Sequence, residues 1–279
     1  MFEHSITRRQ LLALAASALP LACKPPPEVK TPGKKGLGLT SKRRPPEEVI
    51  RFVEAVGARW FYNWNIDPPS GLPAKVKYVP MIYEGRSGVE AEVAQVKTRA
   101  SVVGYQELLG FNEPDHHTQG NTSVEKALEV WPKLEASGLR LGSPACVHPD
   151  NDWMKAFMKG VEDRGLRVDF ICMHSYGGPN ADALVKRLEK VHALYKRPIW
   201  ITEFAVADWK AKTTGVNRYT AERIADFLTR LLPQLEAMDI VERYAWFHGG
   251  VSGTALASSQ LFNADGSLTI VGEAYRSVG

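Results

Sequence analysis

The chain has 279 residues, 44% of them apolar and 24% charged. That is enough to bury one large core and too apolar for a disordered or fibrous polymer. Its net charge of +4 is uneven: residues 1–44 hold nine Lys/Arg against two Asp/Glu, so the remaining body is slightly acidic and no nucleic-acid partner is expected.

Arg8-Arg9 precedes an apolar run that continues through Leu21. The run is short for a membrane span, and Pro20 lies near its end. It reads as an export signal, and the arginine pair resembles the twin-arginine type; a single anchor helix is the alternative. Leu19-Pro20-Leu21-Ala22-Cys23 resembles a lipoprotein processing site, with the proline as a departure from the usual pattern. Membrane attachment through lipidated Cys23 is one expectation, and simple cleavage nearby is the other. Both place the protein in the periplasm or outside the cell. Residues 24–35 follow as a basic, Pro/Gly-rich linker, and residues 36–279 as the folded domain. Cys146 and Cys172 lack zinc-finger spacing and read as buried thiols, with a disulfide left open.

Short apolar runs then alternate with amphipathic stretches, the pattern of successive βα units. Strand one is read at Gly36–Leu39, with a helix around Glu47–Val56, and strand two at Arg59–Trp64. Strand three is Val76–Tyr83, where Pro80 demands an end or a distortion. Strand four is Leu108–Asn112, followed by a helix over Val124–Ala136 with Thr122 or Ser123 as N-cap. Strand five at Leu139–Ser143 precedes a helix at Trp153–Glu162, and strand six is Asp169–Tyr176. Apolar recurrence at Leu184, Leu188, Val191 and Leu194 marks a helix over Ala181–Tyr195. Strand seven at Pro198–Phe204, a helix over Tyr219–Met238, strand eight at Val241–Phe247 and a last helix at Ile270–Val278 complete the series. Eight units in a body of this size predict a single (β/α)8 TIM barrel. A doubly wound sheet fits less well, because no Gly-rich phosphate loop follows the first strand.

In such a barrel the C-terminal strand ends share one mouth. Glu113 follows strand four and Glu203 ends strand seven, so the two carboxylates can face each other there. One can attack an anomeric carbon while the other protonates the departing oxygen, with either order open. The two roles require different environments, and donors from Asn112, His174 or Tyr176 can favour the ionised partner. No compact His-rich pattern accompanies the pair, so neither a metal nor another cofactor is expected. Trp64, Tyr83, Tyr176, Trp209, Trp246 and Phe247 fall at or beyond strand ends, where aromatic faces suit sugar rings.

Leu109-Gly110-Phe111-Asn112-Glu113-Pro114-Asp115, His174-Ser175-Tyr176 and Trp200-Ile201-Thr202-Glu203-Phe204 together resemble glycoside hydrolase family 128. Trp246 at the end of strand eight fits the resemblance, which covers about Gly36 to Val278. It implies a TIM barrel that hydrolyses β-1,3-glucan with retention, with endo action favoured and no obligate protein partner. Another β-linked polysaccharide, or binding without cleavage, remains the alternative. The resemblance makes Glu113 the acid/base, Glu203 the nucleophile and Asn112 the partner of the hydroxyl next to the anomeric centre. It makes His174 and Tyr176 supports of the site and Trp246 a sugar platform. Trp64 and Trp209 are further candidates for substrate contact.

Overall fold

All but one strand of the body feeds a helix that buries one stripe against the strands, and the next strand therefore returns parallel to the first; the second strand instead reaches the third through a loop, residues 63–76. A computed structural model of the chain describes residues 33–42, 44–248 and 254–278. The export signal, Cys23 and most of the basic linker lie outside the described residues, as do Gly249 and Gly250. Among the described residues no helix is long and apolar enough to cross a membrane.

The strands are β1 (Lys35–Leu39), β2 (Trp60–Tyr62), β3 (Lys77–Tyr78), β4 (Glu107–Leu108), β5 (Arg140–Leu141), β6 (Ile171–Gly177), β7 (Ile199–Val206) and β8 (Val241–His248). The helices between them are α1 (Pro46–Ala55), α2 (Val89–Val103), α3 (Val124–Glu135), α4 (Asp152–Asp163), α5 (Ala181–Tyr195), α6 (Ala211–Thr214) and α7 (Ala221–Ala237), with α8 (Ile270–Arg276) last. Parallel ladders run β3-β2-β1-β8-β7-β6, and β4 pairs with β5 in a second ladder. Single parallel bridges, Met81 to Leu109 and Gly142 to Phe170, join the two ladders on either side. The eight units thus follow the (β/α)8 order, with thin hydrogen bonding around β3 to β5. Pro80 has no N–H to give, which is why β3 stops at Tyr78 and pairing resumes at Met81.

The inside of the ring is filled by Trp60, Tyr62, Met81, Leu109, Phe170 and Trp200, which form a core separate from the one between strands and helices. A Cβ at position 36 would lie 2.3 Å from the Trp60 indole, so Gly36 makes room for that ring. Phe170 stacks on Trp200 with centroids 4.1 Å apart, and the Arg243 guanidinium lies 4.1 Å from the Trp200 ring. Arg243 also pairs with buried Glu107 at 2.8 Å. Cys146 and Cys172 are both free and buried, as the simpler expectation had it.

Two features depart from the sequence reading, and a third settles a choice it left open. Lys34 and Lys35, assigned to the linker, belong to the barrel. Lys34 Nζ donates to the carbonyls of Leu235, Glu236 and Met238 at 2.8–3.1 Å, and Lys35 Nζ to those of Arg276 (3.1 Å) and Val278. A cation at a helix C-terminus satisfies carbonyls that have no partner within the helix. Helix α2 was not read at all, because it buries only Val89, Val93 and Val96 while Val102 and Val103 are exposed, which blurs its stripe. The N-cap of α3 is Ser123, whose side chain accepts from the Lys126 N–H at 3.2 Å.

Candidate active site

The loops after the strands surround a cleft of about 850 Å³. Glu113 enters it from the turn after β4, with φ of 37°. That left-handed backbone costs a non-glycine residue roughly 1–2 kcal/mol. The turn is tied down on both sides: Glu113 N–H donates to Ala145 O at 2.8 Å, and Asp115 accepts from Val147 N and Asn151 Nδ2. Trp64, beyond β2, also has positive φ, at 60°. Strained residues of this kind persist where the surroundings fix them, and here both line the same cleft.

Glu203, on β7, is 5% exposed. Its Oε1 accepts from Trp64 Nε1 at 2.8 Å and Tyr62 Oη at 3.1 Å, and its Oε2 accepts from Tyr176 Oη. Three donors, from β2, the segment just beyond it and β6, therefore hold both oxygens. Glu113 is held more lightly, by His174 Nδ1 at 2.9 Å from its Oε1. Buried His174 stands between the two acids, its Nε2 3.4 Å from Glu203 Oε1.

Burial opposes a charge on His174, yet the Glu203 carboxylate, and after it the hydrogen bond and charge of Glu113, raise its pKa above the ordinary 6.5. Burial likewise raises Glu113, but the His174 hydrogen bond and charge, with His116 and His148 adding to them, bring it below the ordinary carboxylate value. Both shifts run in the same sense, favouring the imidazolium beside an ionised Glu113 across their hydrogen bond.

Ligand atoms of Glu113, His174 and Glu203 all lie within 4.8 Å of one another. A small cation is geometrically conceivable there. The chemistry of the donor set points elsewhere, because Tyr62, Trp64 and Tyr176 already direct hydrogens at Glu203 and would have to turn away from a cation. The spacing instead matches two acids that act on one bond. Carboxyl groups about 5–5.5 Å apart are the mark of retaining glycosidases, and inverting enzymes need about 6.5–9.5 Å.

A family model described as a glycosyl hydrolase catalytic core matches residues 46–275. The chain belongs to this family. A subgroup I endo-β-1,3-glucanase of glycoside hydrolase family 128 from Amycolatopsis mediterranei, solved with laminarihexaose, is 38% identical to this glycosyl hydrolase, with a TM-score of 0.73, 88% of this chain covered and 99% of that one. A subgroup II endo-β-1,3-glucanase from Sorangium cellulosum is 28% identical, with a TM-score of 0.71, 88% of this chain covered and 98% of that one. The resemblance to family 128 read from the motifs is borne out. Alkali-sensitive linkage protein 1 of Schizosaccharomyces pombe is 32% identical over 231 residues, 78% of this chain; the match spans 40% of that protein's length.

The glycosyl hydrolase cleft brings together Asn112, Glu113, Tyr176, Glu203, Trp64 and Trp209, all of which line it. Buried His174 lies beneath, in contact with both acids. Trp64 is a hydrogen-bond donor to Glu203 as well as a wall. Trp209, 49% exposed, stands at the rim with its Nε1 3.3 Å from Tyr176 O. Asn112 is buried, and its Oδ1, itself shielded from solvent, has no hydrogen-bond partner among the described residues.

Trp246 is a correction. It is fully buried on the outer side of β8, packed against Phe204 and Tyr275, and its Nε1 donates to Ser259 O at 3.0 Å. Successive side chains of a strand point to opposite faces, so its neighbour Phe247 reaches the cleft instead, against Trp64 and Tyr176. Tyr62, Gln119, His116, His148 and Arg187 were missed as site residues. Only tertiary contact reveals them, since Tyr62 reads as an ordinary core residue of β2 and the others sit in loops or on α5. Trp246→Ala is expected to destabilise the fold by about 3–5 kcal/mol. Phe247→Ala should weaken oligosaccharide binding several-fold at nearly wild-type Tm. Thermal melts and tryptophan-fluorescence titrations of both variants check this, and a binding loss confined to Trp246→Ala would reverse the correction.

Proposed function

We propose that this chain is a retaining endo-β-1,3-glucanase. The observation that carries the reading is the pair of carboxylates with ligand atoms within 4.8 Å of each other and of His174, in a cleft of about 850 Å³ with an aromatic lining. The family 128 relatives and the laminarihexaose held by one of them support the linkage.

Glu203, with both oxygens held by donors, attacks the anomeric carbon. The bond to the leaving oxygen breaks as Glu113 delivers to it the proton held on the Glu113–His174 pair. As the charge on Glu203 is consumed, His174 loses its main electrostatic support, which favours passage of that proton along the 2.9 Å hydrogen bond to Glu113. Glu113 then takes a proton from water, the hydroxide displaces Glu203, and two inversions leave the configuration retained. Asn112, next to Glu113 on the cleft lining, is the residue assigned to bind the hydroxyl beside the reacting carbon. Trp64, Trp209 and Phe247 give the cleft its aromatic wall.

Incubation with laminarin, xylan and β-1,4-glucan, with product sizes resolved and the first anomer followed by proton NMR, tests the reading. Mixed-size β-anomeric products from laminarin alone are expected. An inverted first product, or preference for another linkage, would overturn it.

Because the shared proton resides on a histidine, the alkaline limb of the kcat/KM–pH profile should lie above the ordinary imidazole value of 6.5. In His174→Gln the only proton left is carried by a carboxyl, so the limb should move to lower pH, with a fall in rate of about 10–100-fold. An unmoved limb in the variant would remove His174 from the proton path.

The proposed place of action is outside the cytoplasm, with Cys23 as the lipid anchor. Labelled palmitate should enter the wild-type chain and not Cys23→Ala.

A further inference from the structure

The body of the protein is slightly acidic, yet its cleft is not. Apart from Glu113, Glu203 and two tyrosines, the ionisable residues lining it are His116, His148, Arg187 and Lys212. Three of these form one rim: His116 follows β4, His148 follows β5 and Arg187 lies on α5. The aromatic wall is Trp64 and Trp209, just beyond β2 and β7, with Phe247 on β8.

Hydrogen-bond chemistry fixes what this rim can offer. Arg187 Nη2 lies 3.2 Å from His148 Nδ1. A guanidinium has only donors, so that ring nitrogen accepts and the His148 proton sits on Nε2. His116 Nδ1 accepts from the Thr118 backbone N–H at 3.3 Å, which likewise leaves its Nε2 as a donor. Arg187 is half-buried and forms no ion pair among the described residues. The nearby Asp150 is taken by Lys190 at 2.6 Å. Burial lowers the Arg187 pKa, and the charge of Asp150, itself paired with Lys190, opposes this only in part.

A sugar hydroxyl both donates and accepts. With Nδ1 of His116 and of His148 already accepting, the other ring nitrogens and the Arg187 guanidinium can only donate, and a group that only accepts complements these lining residues better. Resting on the glucanase reading above, we propose that this rim is a subsite for an anionic substituent on the glucan, a carboxylate or phosphate. Neutral glucan still binds through the aromatic wall, and the anion adds affinity and orientation. The chemistry suits a β-1,3-glucan that carries acidic groups.

The test uses Glu203→Gln protein, so that binding is read without turnover. Laminarihexaose, the same oligosaccharide with one C6 carboxylate, and the same with one C6 phosphate are titrated by tryptophan fluorescence at low and high salt. At least one acidic form should bind about tenfold more tightly than the neutral one at low salt, with the gap shrinking at high salt. The tighter of the two identifies the anion. Adding Arg187→Gln should bring the ratio of acidic to neutral affinity close to one, and Arg187→Lys should restore part of it. Equal affinity for all three sugars, or an equal loss for all three in Arg187→Gln, would overturn the subsite. Turnover of neutral laminarihexaose by the wild-type protein tests the glucanase reading separately, since the affinity ratio does not depend on cleavage.

Discussion

Glu203→Gln is expected to lose about 10⁴-fold or more of kcat on laminarin, because no other group is placed to form the covalent intermediate. The amide keeps the size of the acid, so the fold should survive and Tm should stay near the wild-type value. The donors from Tyr62, Trp64 and Tyr176 would then face a weaker acceptor, and one of them an amide nitrogen. Glu203→Ala gives the sharper test. It opens space on the face the carboxylate attacks, and azide supplied there displaces the leaving group directly, giving the α-glycosyl azide by a single inversion. Near-normal turnover of Glu203→Gln, or a β-glycosyl azide from Glu203→Ala, would assign the nucleophile to the other acid.

Glu113→Gln should lose about 10²–10⁴-fold on laminarin, the range a general acid/base supplies. The loss should depend on the leaving group. A dinitrophenyl glycoside needs no protonation, so its first step proceeds and the covalent intermediate accumulates as a burst. Water is then a poor nucleophile without its base, while azide, which needs none, should accelerate release and give the β-glycosyl azide with Glu113→Ala. The two alanine variants therefore give azides of opposite configuration if the roles are as argued, and swapped ones if the order is reversed. The geometry already favours this order. Glu203 has three donors on its two oxygens, whereas Glu113 has a single histidine that can both lend and take a proton.

Much of this site was open to inspection in the sequence because its parts are local. Glu113 and Glu203 each sit at a strand end within a distinctive run, and a strand end in a parallel barrel has only one place to be. His174 and Tyr176, two residues apart on β6, share a face for the same reason. Trp246 failed the same logic by one position. Arrival at a strand end is not enough, because side-chain direction alternates and Phe247 holds the inward place. Helix α2 was lost for an energetic reason: three buried valines suffice for docking and are too few for a visible stripe. Lys34 and Lys35 looked like linker charge because a lysine that caps a helix 200 residues away has no local signature.

The amino-acid sequence by itself determined the succession of βα units, the barrel that follows from it, and the two carboxylates at the mouth. These rest on periodicity and on chemistry carried within a few neighbouring residues. Only the tertiary structure decided how the acids differ. Tyr62 reaches Glu203 across 141 positions, and His174 reaches Glu113 across 61. It also decided which aromatic faces the cleft and that Arg187 joins His148 at its rim. The reason is physical: the properties that separate nucleophile from acid are hydrogen bonds and desolvation between distant strands, and these exist only once the ring of strands has formed.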